Sequence, residues 1–243
     1  MNTQETLTRL EMLKLKGMAN AYDALQSLPL QDRPGMDVAV AKLAEAEQLY
    51  RRDKRTEMYL KTSKLRYSAI IEDVLCHTDR NFTKDQLIAL GDCSFIARAE
   101  NLLITGLTGC GKSYLACALG RQACSLGYRT QYLNMNKFME KIALSKLDGS
   151  FLKLVSQLER NHLIILDDFG IQPMDANTRL ALLQILEERY ERKSMIITSQ
   201  LPVSKWYDYI GEPTLADAIM DRLVSNATRV ELKGDSLRGK NKK

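Results

Sequence analysis

Residues Gly106-Leu107-Thr108-Gly109-Cys110-Gly111-Lys112-Ser113 match the pattern G-x-x-x-x-G-K-[ST] in full. Glycines at those places let the backbone turn tightly and aim successive N–H groups at phosphate oxygens. The helix expected to follow adds its positive N-terminal end. In this pattern Lys112 reaches the β- and γ-phosphates of a nucleotide, and the Ser113 hydroxyl binds magnesium. All eight residues, with Tyr114 beside them, are candidate contacts to ATP.

About fifty residues on, Leu163-Ile164-Ile165-Leu166 runs into the carboxylate pair Asp167-Asp168. Behind a phosphate loop, such a strand end has a specific use. Asp167 would hold Mg2+ through water, and Asp168 would polarise the attacking water. A third apolar run, Met195-Ile196-Ile197, ends in Thr198-Ser199-Gln200. In a parallel sheet that end lies at the ligand crevice, so one of the three, preferably Gln200, is a candidate to position water or the γ-phosphate. A plain strand-to-loop transition would carry the same residues.

Positioning these groups requires strands alternating with helices, and the chain supplies them. Residues 100–106, 128–135, 162–170 and 194–202 read as strands, the third almost continuously apolar, as a strand buried on both faces should be. Residues 112–127 read as a helix closed by Gly127, and 178–193 as a strongly periodic helix. The pattern predicts a parallel α/β sheet flanked by helices.

The first part of the chain differs. Leu7, Leu10, Met18, Tyr22 and Leu25 repeat at helical spacing and predict one amphipathic helix over 4–28, stopped at Pro29. A second helix, capped by Asp37, is expected to run to Leu65. Together they predict a small helical domain over 1–68 ahead of a larger one over 69–243. Across 243 residues, a 45% hydrophobic content is enough for one substantial core plus that appendage.

The net charge of +5 is unevenly spread. Arg51, Arg52, Lys54 and Arg55 open a basic stretch that reaches Arg66, and the C-terminal tail is basic too. Such clusters favour a polyanion such as DNA, although a solvated helix face would carry the same charges. The five cysteines form no CxxC pair, and two histidines are too few for a zinc site with them. No eighteen-residue apolar run or signal-type leader occurs, so a reduced, cytoplasmic protein away from membranes is expected.

On these residues the chain resembles an AAA+ ATPase, and more closely the IstB/DnaC branch. NLLITGLTGCGKSYLACALG, LIILDDFG, MIITSQLPVSKWYDYIGEPTLADAIMDRL and RVELKGDSLR look like blocks of the IstB-like ATP-binding proteins of insertion sequences. The resemblance covers most of the chain, including KLRYSAIIEDV near the start. It implies an AAA+ P-loop NTPase fold and a homo-oligomer with ATP sites shared between neighbours. Arg222, in AIMDRL, would then be an arginine finger completing a neighbour's site. An ion pair with Asp217 or Asp221 is the alternative use of Arg222. Arg238 lies where the family places a second nucleotide-sensing arginine.

Two departures stand out. Asp168 occupies a position where most AAA+ proteins have glutamate, which fits slow hydrolysis. Only about forty residues follow SQLP, too few for a separate helical lid. The resemblance further implies a helper that assembles on double-stranded DNA and engages a transposase. The alternative from the same branch is a DnaC-like loader of a replicative helicase.

Overall fold

The computed structural model describes residues 2–237 and divides into two compact units, one ending at Met58 and the other starting at Tyr59. The division falls ahead of the expected 68/69 boundary, because Leu65 and Tyr67 pack against the core of the larger unit.

The first unit is helical. Helix α1 (Thr3–Met12) and helix α2 (Lys16–Gln26) replace the single helix expected over 4–28. Lys14 adopts a left-handed backbone (φ 59), while the N–H groups of Lys14 and Leu15 bond to the carbonyls of Glu11 and Leu10. This is a helix-ending pattern usually built on glycine. Lysine gives no such signal, so the apolar periodicity ran straight across the break. Helix α3 (Met36–Ser63) starts one residue before Asp37, which lies in its first turn, while the Gly35 carbonyl accepts from the Ala39 N–H. Gly17 permits the close approach of α2 to α3. A Cβ there would lie 2.5 Å from the Ala46 carbonyl oxygen and 2.6 Å from Glu47 Cα.

The second unit is a five-stranded parallel sheet with helices around it. After the short helices α4 (Lys84–Gly91) and α5 (Ser94–Ala97) comes strand β1 (Asn101–Gly106). Helix α6 (Lys112–Ser125) leads to β2 (Thr130–Asn134). Gly127 ends α6 as expected: the N–H groups of Gly127 and Tyr128 reach the carbonyls of Cys124 and Ala123. Helices α7 (Met135–Leu147) and α8 (Phe151–Glu159), unread in the sequence, precede β3 (Leu163–Phe169). Helix α9 (Ala176–Arg189), β4 (Ser194–Ser199), α10 (Trp206–Ile210) and α11 (Pro213–Val224) follow. A fifth strand, β5 (Ala227–Leu232), completes the sheet in the order β2-β3-β4-β1-β5.

The sheet separates two apolar layers. Leu102 and Ile104 of β1 face one layer with Leu115 and Leu119 of α6, while Leu103 faces the other with Phe169 and Trp206. These side chains are fully buried, each stabilising the fold by about 1.5–3 kcal/mol. All pairings are parallel, so every strand delivers its C-terminal end to one edge. The phosphate loop, Asp167, Asp168 and Gln200 all sit on that edge.

Candidate nucleotide site

The loop after β1 keeps its shape through its own contacts. Lys112 Nζ donates to the carbonyl oxygens of Gly106 and Leu107 at 2.8 and 2.9 Å. Gly109 has φ +85, and a Cβ there would fall 2.1 Å from Ser236 Oγ, so only glycine fits. The segment beyond β5 lies against the loop, with the Leu237 N–H donating to the Gly109 carbonyl at 2.9 Å. Arg80 Nη2 donates to the Cys110 carbonyl at 2.5 Å. Thr108 Oγ1 donates to Gln200 Oε1 at 2.7 Å, which joins the loop to the end of β4.

The acid pair is built into this arrangement. Asp167 is fully buried, and each of its oxygens has its own partners. Ser113 Oγ donates to Oδ1 at 2.7 Å, and the Thr198 hydroxyl bonds to the same oxygen. Tyr132 OH donates to Oδ2 at 2.5 Å. Burial, and then the Asp167 carboxylate, push the Tyr132 phenol far above its usual range.

Asp168 stands at a bulge where the β3–β4 register shifts, with a left-handed backbone at φ 66. Its N–H donates to Thr198 Oγ1 at 3.1 Å, and Asn134 Nδ2 donates to its Oδ2 at 2.8 Å. Burial first, then the neighbouring Asp167, raise its carboxyl above the usual aspartate value, against the pull of Arg66, Lys112 and Asn134.

A cavity of about 480 Å³ opens beside these groups. Its lining includes the loop from Thr108 to Ser113 with Tyr114, Asp168 and Gln200, and also the apolar Val74, Leu75, Phe82 and Leu237. Loop backbone N–H groups together with apolar side chains suit a molecule that carries both phosphates and a flat base. Ser113 and Asp167 bring hard oxygen donors together, the set that magnesium takes when phosphates fill the rest of its shell.

The structure therefore gathers Gly106 through Tyr114, Asp167, Asp168 and Gln200 at one edge. It does not bring Arg222 there. The Asn101 side chain, at the start of β1, donates to the carbonyls of Arg222 and Leu223 at 3.1 and 3.3 Å. Arg222 thus lies at the far end of a strand about 17 Å long. Its guanidinium pairs with Glu187, stands 3.9 Å from Asp221, and lies 6.0 Å from the Tyr190 ring centroid. Arg238 falls outside the described residues. Arg51, Arg52, Lys54 and Arg55 are exposed on α3 in the first unit, where Arg51 pairs with Glu47 and Lys54 with Glu57.

Sequence reasoning missed Arg66, Arg80, Tyr132 and Asn134. For Tyr132 and Asn134 a signal existed, since each is a polar group on a buried strand beside the acid pair. For Arg66 and Arg80 none did.

The model of the IstB-like ATP binding protein family matches residues 8–243. The chain belongs to that family. A Sinorhizobium fredii protein named as an insertion sequence ATP-binding protein is 41% identical, over 96% of this chain and 95% of its own. The IS1162 ATP-binding protein of Pseudomonas fluorescens is 38% identical, over 84% of this chain and 89% of its own. AMPPCP-bound DnaA from Aquifex aeolicus superposes with a TM-score of 0.59 at 20% identity, covering 71% of this chain and 52% of that one. The DnaC helicase loader gives 0.57 at 16%, covering 69% and 98%. At such identities the likeness concerns the fold, which is the AAA+ P-loop one. As an IstB-like protein with an intact phosphate loop and acid pair, the chain is an ATPase.

Proposed function

We propose that this IstB-like ATPase is a helper of transposition. It assembles on double-stranded DNA with Mg2+ and ATP, and engages a transposase at the target. The observation that carries this reading is a joined phosphate loop and acid pair in a chain matched over nearly its full length by an insertion sequence ATP-binding protein.

Bound magnesium ATP supplies the phosphoryl group and the metal charge that screens its oxygens. In this reading the loop N–H groups and Lys112 would hold the phosphates, while Ser113 and Asp167 would hold the metal. Asp168 takes the proton of the attacking water, and Gln200, tied to Thr108, orients the γ-phosphate end. Arg222 cannot reach its own chain's site across the sheet, and a neighbour's γ-phosphate is the partner its position suits. Arg51, Arg52, Lys54 and Arg55 contact DNA phosphates, which hold position without reading sequence. The helical unit that ends at Met58 serves DNA or partner binding, and the protein works in the cytoplasm. Among the described residues no helix is long and apolar enough to cross a membrane.

The test is size-exclusion chromatography and gel shift with duplex DNA, with and without a non-hydrolysable ATP analogue and magnesium. Nucleotide-dependent, salt-sensitive multimers on duplex DNA are expected. A monomer indifferent to nucleotide would remove the reading, and preference for single strands together with capture of a replicative helicase would replace it with a loader.

A further inference from the structure

Arg66 ends the basic stretch that the sequence offers as a polyanion contact, yet its guanidinium lies in the nucleotide site. Arg66 Nη1 stands 3.6 Å from Asp167 Oδ2 and 3.5 Å from Asp168 Oδ2. The guanidinium sits 5.3 Å from the Tyr67 ring centroid, and Tyr67 lies 6.2 Å from the ring of Tyr114 on α6.

The acid oxygens divide in a telling way. Asp167 Oδ1 receives Ser113 and Thr198, and this is the face suited to a metal. Asp167 Oδ2 receives Tyr132 and faces Arg66. On Asp168 both Asn134 and Arg66 approach Oδ2.

We propose that Arg66 is a positioning residue for hydrolysis. It ties both carboxylates by their Oδ2 atoms and turns Oδ1 of Asp168 toward the attacking water. The proposal rests on the ATPase reading of this site.

Three physical points support it. Two adjacent carboxylates, one fully buried, repel each other, and a nearby cation offsets that repulsion. A single nitrogen, Nη1, stands within 3.6 Å of one oxygen of each carboxylate, so one cation faces both acids at once. Asp168 emerges from a bulge in a left-handed conformation, so its carboxylate direction depends on what holds it from outside. The Arg66 side chain is 43% exposed, so as an ion pair alone it would add little to folding. Its effect belongs in turnover.

The experiment compares the full-length protein with Arg66→Gln, Arg66→Lys, Asp168→Asn and the Arg66→Gln/Asp168→Asn double variant. Steady-state kcat and KM for ATP are measured alongside the Kd for a fluorescent ATP analogue with magnesium, and the melting temperature. Arg66→Gln should lower kcat roughly 10- to 100-fold, as misorientation of a reacting group does, with Kd within about twofold. Arg66→Lys should recover part of the loss. The double variant should be no slower than Asp168→Asn, because Arg66 acts through Asp168.

Wild-type turnover in Arg66→Gln would overturn the proposal. So would a double variant slowed by the full product of both factors, or a loss of kcat matched by losses of affinity and melting temperature. A wild-type protein that hydrolyses nothing would sink the ATPase reading, and Asp168→Asn with unchanged turnover would remove Asp168 as the proton acceptor; Arg66's role falls with either. That failure is recognisable because it does not depend on residue 66.

Discussion

Ser113 Oγ donates to Asp167 Oδ1 at 2.7 Å, joining the first turn of α6 to the end of β3 across 54 residues of chain. Neither side chain could hold the other in place alone. The parallel β3–β4–β1 pairing brings the two strand ends to one edge, and the buried carboxylate is then fixed by hydroxyls from β2, β4 and α6.

Tyr132→Phe removes one of those hydroxyls and leaves Asp167 Oδ2 with Arg66 alone. A lost hydrogen bond to a buried charged group costs about 1.5–3 kcal/mol. The expected result is a lower denaturant midpoint with an unchanged slope, read by urea titration. A stability equal to wild type would mean that water replaces the phenol.

Gly109→Ala places a methyl against Ser236 Oγ in a backbone conformation that an L-residue adopts at a cost of about 1–2 kcal/mol. The loop must shift away from Leu237. Affinity for ATP should fall at least tenfold when measured by calorimetry, whereas a substitution that merely loosened the C-terminal segment would leave it intact.

Arg222→Ala and Lys112→Ala proteins should each be inactive alone and should recover hydrolysis when mixed. In a mixture some interfaces pair an intact loop with an intact arginine, which sits about 17 Å of strand away from its own loop. A coupled-enzyme ATPase assay across mixing ratios reads the effect. Mixtures as inactive as their parents would return Arg222 to its ion pair with Glu187.

His162 supplies a pH dependence away from the site. Its Nδ1 accepts the Arg129 N–H at 3.0 Å, and burial, then Lys193, Arg189 and Arg129, lower its pKa from 6.5. A lowered value means that the folded state favours neutral imidazole. Its contribution is therefore present above pH 6.5 and is lost as pH falls through the lower folded value. His162→Asn should flatten the decline in stability between pH 7 and pH 5, measured by chemical denaturation. An identical decline in both proteins would exclude His162 as its source.

Much of the nucleotide site was readable from Gly106 to Ser113 and from Leu163 to Asp168, because phosphate and magnesium chemistry needs particular residues at short, local spacing. The buried strands were readable for a similar reason, as a strand covered on both faces must be apolar along its length. The same local logic failed at Lys14, where a left-handed lysine breaks a helix that the apolar pattern would continue. It failed again at β5, whose burial alternates and whose Arg229 and Glu231 read as surface.

Long-range contacts were beyond reach from the residues alone. Arg66 belongs to a charge cluster in the chain and to the acid pair in space, 102 residues away. The Gly109 carbonyl is held by Leu237, and Arg222 is carried to the opposite end of β1 from the glycine-rich loop. Those placements follow from strand order and crossover direction, which depend on how whole layers pack rather than on any one residue's type. Local chemistry thus marked a candidate phosphate site, while packing chose the groups that hydrogen-bond its carboxylates and set Arg222 at the far end of β1.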